Sequence, residues 1–139
     1  MNLTIQNKSL FVLDDDITFH RLLTIANQKN LFRVSHHYQV RSILTHLWKH
    51  KNDPTNLPDV IFVDLTIPLY DGWFFLNVYQ KIHYWLCKDI AIYVVTASNS
   101  EIDIERAASY SFVKQYITKP ISMDKLKEIA ACENYRASA

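Results

Sequence analysis

Five short apolar runs punctuate the chain: residues 9–13 (SLFVL), 31–35 (LFRVS), 60–63 (VIFV), 90–95 (IAIYVV) and 112–117 (FVKQYI). The run at 60–63 is continuous and β-branched or aromatic, which is how a strand buried on both faces of a parallel sheet reads. Between the runs, apolar residues return at helical spacing. Phe19, Leu22, Leu23 and Ala26 form one such face, Val40, Ile43, Leu44 and Leu47 a second, and Phe75, Val78, Tyr79 and Ile82 a third. The second helix is expected from about Gln39 to Lys51, and the third from Trp73 to about Trp85. The third also carries Phe74, Tyr84 and Trp85, so it reads as a helix well buried on more than one side rather than as a partner surface. Ser98 followed by Glu101 has the form of a capping box for a fourth helix reaching Tyr110. Ser122 is placed to cap a fifth through Leu126 and Ile129, and the polar tail Glu133–Ala139 is expected to fray. Strand and helix alternate five times, which predicts a parallel sheet with helices on both faces.

Composition narrows the chemistry. The 139 residues suffice for one domain with a real core, at 49% hydrophobic and 21% charged, and the formal net charge is +1. No basic stripe argues for a nucleic-acid partner. The N-terminal apolar run is too short for a signal peptide, and no stretch approaches membrane-spanning length, so a cytoplasmic location without a membrane partner is expected. Cys87 and Cys132 have no metal-ligand spacing. Gly72 is the sole glycine. A phosphate-cradling P-loop needs two and a dinucleotide fingerprint three, so both nucleotide-binding motifs are excluded.

What ends each strand carries the chemistry. The first is followed by Asp14, Asp15 and Asp16, the third by Asp64, and the fourth and fifth end near Thr96 and Lys119. In an open parallel sheet these ends share one edge, where ligands gather. Pro68, Asp71 and Gly72 after Asp64 are turn chemistry, so Asp64 is placed either to cap a turn or to act there. Likewise, an Asp at a helix start suits the macrodipole, so one of the first three needs no further role. If the first and third strands are neighbours, three carboxylates converge and repel unless a cation intervenes. Mg²⁺ suits such an oxygen set. A carboxylate nucleophile, a Mg²⁺ site, a lysine and a hydroxyl are the parts needed to accept a phosphoryl group.

LDDD at 13–16, VDLTIPLYDGW at 63–73, VTAS at 95–98 and YITKP at 116–120 stand in an order and spacing that resembles the receiver domain of two-component response regulators, of the stand-alone, chemotaxis-receiver-like kind. The resemblance implies a flavodoxin-like, doubly wound sheet of order 2-1-3-4-5 with five helices. It implies Asp64 as phosphoacceptor, and a Mg²⁺ site made by Asp15 directly, Asp14 through water, Asp64 and the backbone carbonyl of Thr66. Lys119 would pair with the phosphoryl oxygens and Asp64, Thr96 would donate to the phosphoryl group, and Tyr116 would be the switch aromatic that follows Thr96. The Lys119–Pro120 bond would be cis. The phosphodonor would be a histidine kinase or histidine phosphotransfer protein, and the output a downstream protein meeting the surface of helix 4, strand 5 and helix 5. The resemblance spans essentially the whole chain, so residues 1–139 are expected to form a single receiver domain without an output domain. Its only activities would be self-phosphorylation and autodephosphorylation. Thr66 and Ser98 occupy positions that tune hydrolysis in such domains.

Two other readings remain at this stage. A metal-dependent phosphatase of the aspartyl-phosphate kind also uses a strand-end Asp with Mg²⁺, yet it typically carries a second acid where this chain has Thr66. A flavodoxin-like binding domain without phosphoryl chemistry would not need the acid set. His46 and His50 are spaced i, i+4, a metal pair only if a third ligand exists. None of His20, His36, His37, His46, His50 and His83 has the context of a phosphorelay donor.

Overall fold

A computed structural model describes residues 7–67 and 69–138, with side chains described as far as Glu133; Pro68 of the expected turn, the start of the N-terminal run and Ala139 lie outside the described residues. Strands β1 (Lys8–Leu13), β2 (Phe32–His37), β3 (Val60–Val63), β4 (Ala91–Thr96) and β5 (Val113–Thr118) alternate with helices α1 (Ile17–Ala26), α2 (Val40–Lys49), α3 (Gly72–Ile82), α4 (Glu101–Ala108) and α5 (Met123–Ser138). The sheet is parallel throughout, in the order β2-β1-β3-β4-β5. This is the flavodoxin-like arrangement.

Period-two alternation along the central strands feeds two cores. Leu10, Val12, Val60, Phe62, Tyr93 and Val95 face Phe19 and Leu23 of α1 and Leu126 and Ile129 of α5. Phe11, Leu13, Ile61, Val63, Ile92 and Val94 face Ile43 and Leu47 of α2, Phe75 and Tyr79 of α3, and Ala107 of α4. Both faces of β1, β3 and β4 are therefore dry, which is why these strands read as continuous apolar runs. Burying each large side chain stabilises the fold by roughly 1.5–3 kcal/mol.

Three expectations are corrected. The residues 73–85 do not form one helix: α3 stops at Ile82, and His83–Trp85 tighten into a 3₁₀ turn that sends buried Leu86 back to the core. That turn leaves Tyr84 and Trp85 exposed, and Phe74 is also partly outside, so this segment is not buried on all sides. The capping box does not form. Ser100, two residues later, is the α4 N-cap, because the Ser98 hydroxyl donates to Asp103 instead, at 2.7 Å. Leu22 is exposed although it has core spacing, and His20 is buried in its neighbourhood. The polar tail continues α5 as far as Ser138. The Ser122 cap is present: its hydroxyl accepts the Lys125 N–H at 3.0 Å.

Candidate functional site

Strand register assembles the site. Leu13 pairs with Val63, so Asp14 and Asp64 leave the sheet side by side, and the Asp64 N–H donates to the Leu13 carbonyl at 3.0 Å. A bulge between Ile92 and Tyr93 resets the register of β5 and brings Thr96 opposite Thr118. Lys119 then follows directly, its N–H donating to the Thr96 carbonyl at 2.8 Å.

The β1–α1 loop sorts its three acids. Asp16 is the α1 N-cap, accepting the Thr18 N–H at 2.9 Å. Asp14 is fully buried, and its Oδ1 accepts the Asp16 N–H at 2.9 Å. Asp15, between them, is exposed. Asp14, Asp15 and Asp64 each bring one carboxylate oxygen within 4.8 Å of one another.

One cation holds this edge together. Lys119 Nζ lies 2.7 Å from Asp14 Oδ2 and 3.1 Å from Asp64 Oδ2. It rests 4.4 Å from the centre of the Phe19 ring, whose face adds a cation–π contact. Burial pushes the Lys119 ammonium down, but ion pairing with the two carboxylates outweighs it and the net shift is upward. Asp14 also moves upward: burial raises it, the bonds from Lys119 and the Asp16 N–H offset this only in part, and the Asp64 charge adds to it. The directions agree on one point. A single ammonium is too little positive charge for three converging carboxylates, one of them buried. A hard divalent cation with oxygen ligands fits that deficit.

Asp64 also accepts the Thr66 N–H, at 3.3 Å from its Oδ1, which orients the carboxylate at the mouth of the site. Thr96 is buried, and its hydroxyl has no hydrogen-bond partner among the described residues. An orphaned buried hydroxyl carries a cost that a group entering the site would remove. Behind it Tyr116 is half-buried against the α2–α3 core, and its hydroxyl donates to the Ser98 carbonyl at 2.8 Å. The Lys119–Pro120 peptide is cis.

Gly72 is a residue whose role here sequence reasoning missed. Its N–H donates to the Leu65 carbonyl at 3.2 Å, and a Cβ at this position would lie 2.1 Å from the Asp64 carbonyl oxygen. The glycine lets α3 press against the backbone that carries Asp64. The turn chemistry was legible, whereas the contact with Asp64 exists only in the folded chain. The histidines were also under-read. His46 Nε2 lies 2.8 Å from the Asn56 carbonyl, and among the described residues the only group of three or more His, Cys, Asp or Glu side chains fit for a metal is Asp14, Asp15 and Asp64.

The model of the response regulator receiver domain matches residues 10–131, and the chain belongs to that family. Among curated proteins it is similar to the Probable methanogenesis regulatory protein FilR2 of Methanothrix harundinacea (strain 6Ac), with 31% identity over 87 residues, or 63% of this chain and 54% of that one. The matched region is thus about half the length of that relative. Among the solved structures that share the fold are the following three. The receiver domain of the Francisella response regulator 1452 superposes with a TM-score of 0.75 at 23% identity, covering 94% of this chain and 99% of that one. A two component response regulator from Cytophaga hutchinsonii gives 0.76 at 16%, covering 94% and 99%. The Vibrio cholerae chemotaxis protein CheY4 gives 0.72 at 17%, covering 91% and 98%.

Receiver domains are signalling modules that meet histidine kinases or phosphotransfer proteins and downstream effectors, and they bind Mg²⁺ at an acidic cluster. The cluster of Asp14, Asp15 and Asp64 has that character. Among the described residues, no helix is long and apolar enough to cross a membrane.

Proposed function

We propose that Asp64 accepts a phosphoryl group from a phosphohistidine on a kinase or phosphotransfer protein. An Asp64 carboxylate oxygen attacks phosphorus, the P–N bond breaks, and its electron pair stays on the departing imidazole. The product is an acyl phosphate, which water cleaves at the P–O bond to regenerate Asp64. The observation that carries this reading is the pairing of one lysine with two carboxylates, 2.7 and 3.1 Å away, beside a buried hydroxyl without a partner.

Asp15, Asp64 and the backbone carbonyl of Thr66 would hold Mg²⁺ directly. Asp14 would act through water, since its carboxylate already accepts from Asp16 and pairs with Lys119. Bound Mg²⁺ supplies the divalent charge that lets an anionic phosphoryl group enter a carboxylate-lined site. Lys119 exchanges its Asp64 contact for a phosphoryl oxygen. Thr96 donates its free hydroxyl to another. That movement changes the space beside Tyr116, whose bond to the Ser98 carbonyl links the site to the start of α4. Phosphorylation then biases a two-state equilibrium of the α4–β5–α5 face, where a downstream protein docks.

The test is intact mass after incubation with acetyl phosphate, with and without Mg²⁺. A Mg²⁺-dependent gain of one phosphoryl group is expected, absent in a folded Asp64→Asn variant. Undiminished labelling of that variant would remove Asp64 from the role.

A further inference from the structure

His20 is fully buried on α1, and both ring nitrogens are engaged. Its Nε2 lies 2.7 Å from the Asp14 carbonyl oxygen, and its Nδ1 lies 2.6 Å from His36 Nδ1. A carbonyl oxygen only accepts, so His20 Nε2 carries the hydrogen. His20 Nδ1 is then left to accept from the Nδ1–H of His36. His36 is exposed at the end of β2, and its partial burial, reinforced by the neighbouring His20, lowers it from the ordinary imidazole value, which suits a neutral donor. The Tyr38 ring packs 4.4 Å from the His20 ring and the Phe19 ring 6.4 Å from it. The imidazole is thus fixed by two hydrogen bonds and two aromatic neighbours.

We propose that His20, backed by His36, is a positioning residue for the cation site, aiming Asp15 by clamping the carbonyl of Asp14. The inference rests on the Mg²⁺ reading of the acidic cluster. The peptide unit is planar, so fixing the Asp14 C=O fixes the N–H and Cα of Asp15 as well. Asp15 is exposed, and its direction is set through its backbone. Asp14 is thereby held on every polar atom. Its N–H donates to the His37 carbonyl, its carbonyl accepts from His20, its Oδ1 accepts from Asp16, and its Oδ2 pairs with Lys119. Without His20 the 14–15 peptide is free to rotate, and the carboxylate set loses its preorganised geometry.

The test uses the full chain and Mg²⁺ alone, by calorimetric titration of wild type, His20→Leu and His20→Gln, with a urea melt of each. Leu fills the space without a donor, whereas Gln restores an N–H. His20→Leu is expected to weaken Mg²⁺ binding roughly 10–100-fold, the usual effect of losing a hydrogen-bond partner behind a metal ligand. His20→Gln is expected to recover most of that loss, and His36→Ala to fall between. A role confined to packing predicts wild-type Mg²⁺ affinity in every folded variant, or equal losses for Leu and Gln; either result overturns the proposal. Imidazole ¹⁵N shifts of wild type provide a check independent of any variant. Protonated Nε2 and unprotonated Nδ1 at His20 are expected, and an unprotonated Nε2 overturns the proposal. A wild-type chain that binds no Mg²⁺ overturns the cation site itself, and this inference with it.

Discussion

Replacing Gly72 with alanine tests how the site is built. The added Cβ would lie 2.1 Å from the Asp64 carbonyl oxygen and 2.8 Å from the Leu65 Cα. Non-bonded carbons settle at roughly 3.5–4.0 Å, so the backbone must separate by roughly 1 Å. Both atoms belong to main chain, which cannot swing aside as a side-chain tip can. Overpacking of this kind costs about 1–3 kcal/mol. The same displacement stretches the bond from the Gly72 N–H to the Leu65 carbonyl, now 3.2 Å, a further loss of about 1 kcal/mol. Alanine's better helix propensity returns up to about 1 kcal/mol. The net expectation is a destabilisation of about 2 kcal/mol in urea unfolding. Because the displaced backbone carries the proposed nucleophile, acetyl phosphate labelling should slow by about 100-fold, the scale of a 1 Å misplacement. Gly72 has no positive φ, so conformational strain plays no part. A Gly72→Ala protein with wild-type stability and labelling would refute the steric account.

Lys119→Ala removes the ammonium that faces two buried carboxylates. It should cost about 3 kcal/mol without Mg²⁺. Mg²⁺ should still bind, and should restore more stability to the variant than it adds to wild type, while the phosphorylation-linked switch is lost; equal stability of variant and wild type in chelator would contradict this. His37 supplies a pH test. Burial first, then the nearby His46, His20 and His36, pushes it down to about 4 from its ordinary 6.5. The unfolded chain therefore binds a proton below pH 6.5 that the folded chain refuses until about 4. Stability must fall as pH drops through that window. After allowance for partial solvent screening, His37→Gln should lose about 1 kcal/mol less than wild type between pH 7 and 5. Parallel stability profiles for the two proteins would contradict the assignment.

The central strands were legible because β1, β3 and β4 are buried on both faces, with β1 and β3 stopping at acids and β4 at Thr96, whereas their order was implied only by the resemblance to receiver domains. The edge strands were less so. β5 carries Lys114 and Gln115 on its exposed side, and β2 ends in His36 and His37, both beyond the run at 31–35. The acidic set, Thr96 and Lys119 could be named from strand ends, whereas Tyr116, inside the fifth run, was named only through the resemblance to receiver domains. Their distances could not, since these depend on the β4–β5 bulge and on parallel register. Helical spacing misled at Leu22 and His20, where a polar ring takes a buried place because a backbone carbonyl needs a donor. It misled again at Tyr84 and Trp85, which the turn after α3 leaves outside. Ser98 has the right neighbours for a cap, but Asp103 and Tyr116 engage it instead.

The most direct measurement is chemical mapping of the modified residue. The chain is incubated with acetyl phosphate and Mg²⁺, trapped with borohydride, which reduces an acyl phosphate to an alcohol, and sequenced by peptide mass spectrometry. Reduction at position 64, and its absence when Mg²⁺ is chelated, is the expected result. Reduction at Asp14 or Asp15 instead, or a phosphoryl group found on a histidine or hydroxyl, would contradict Asp64 as the acceptor.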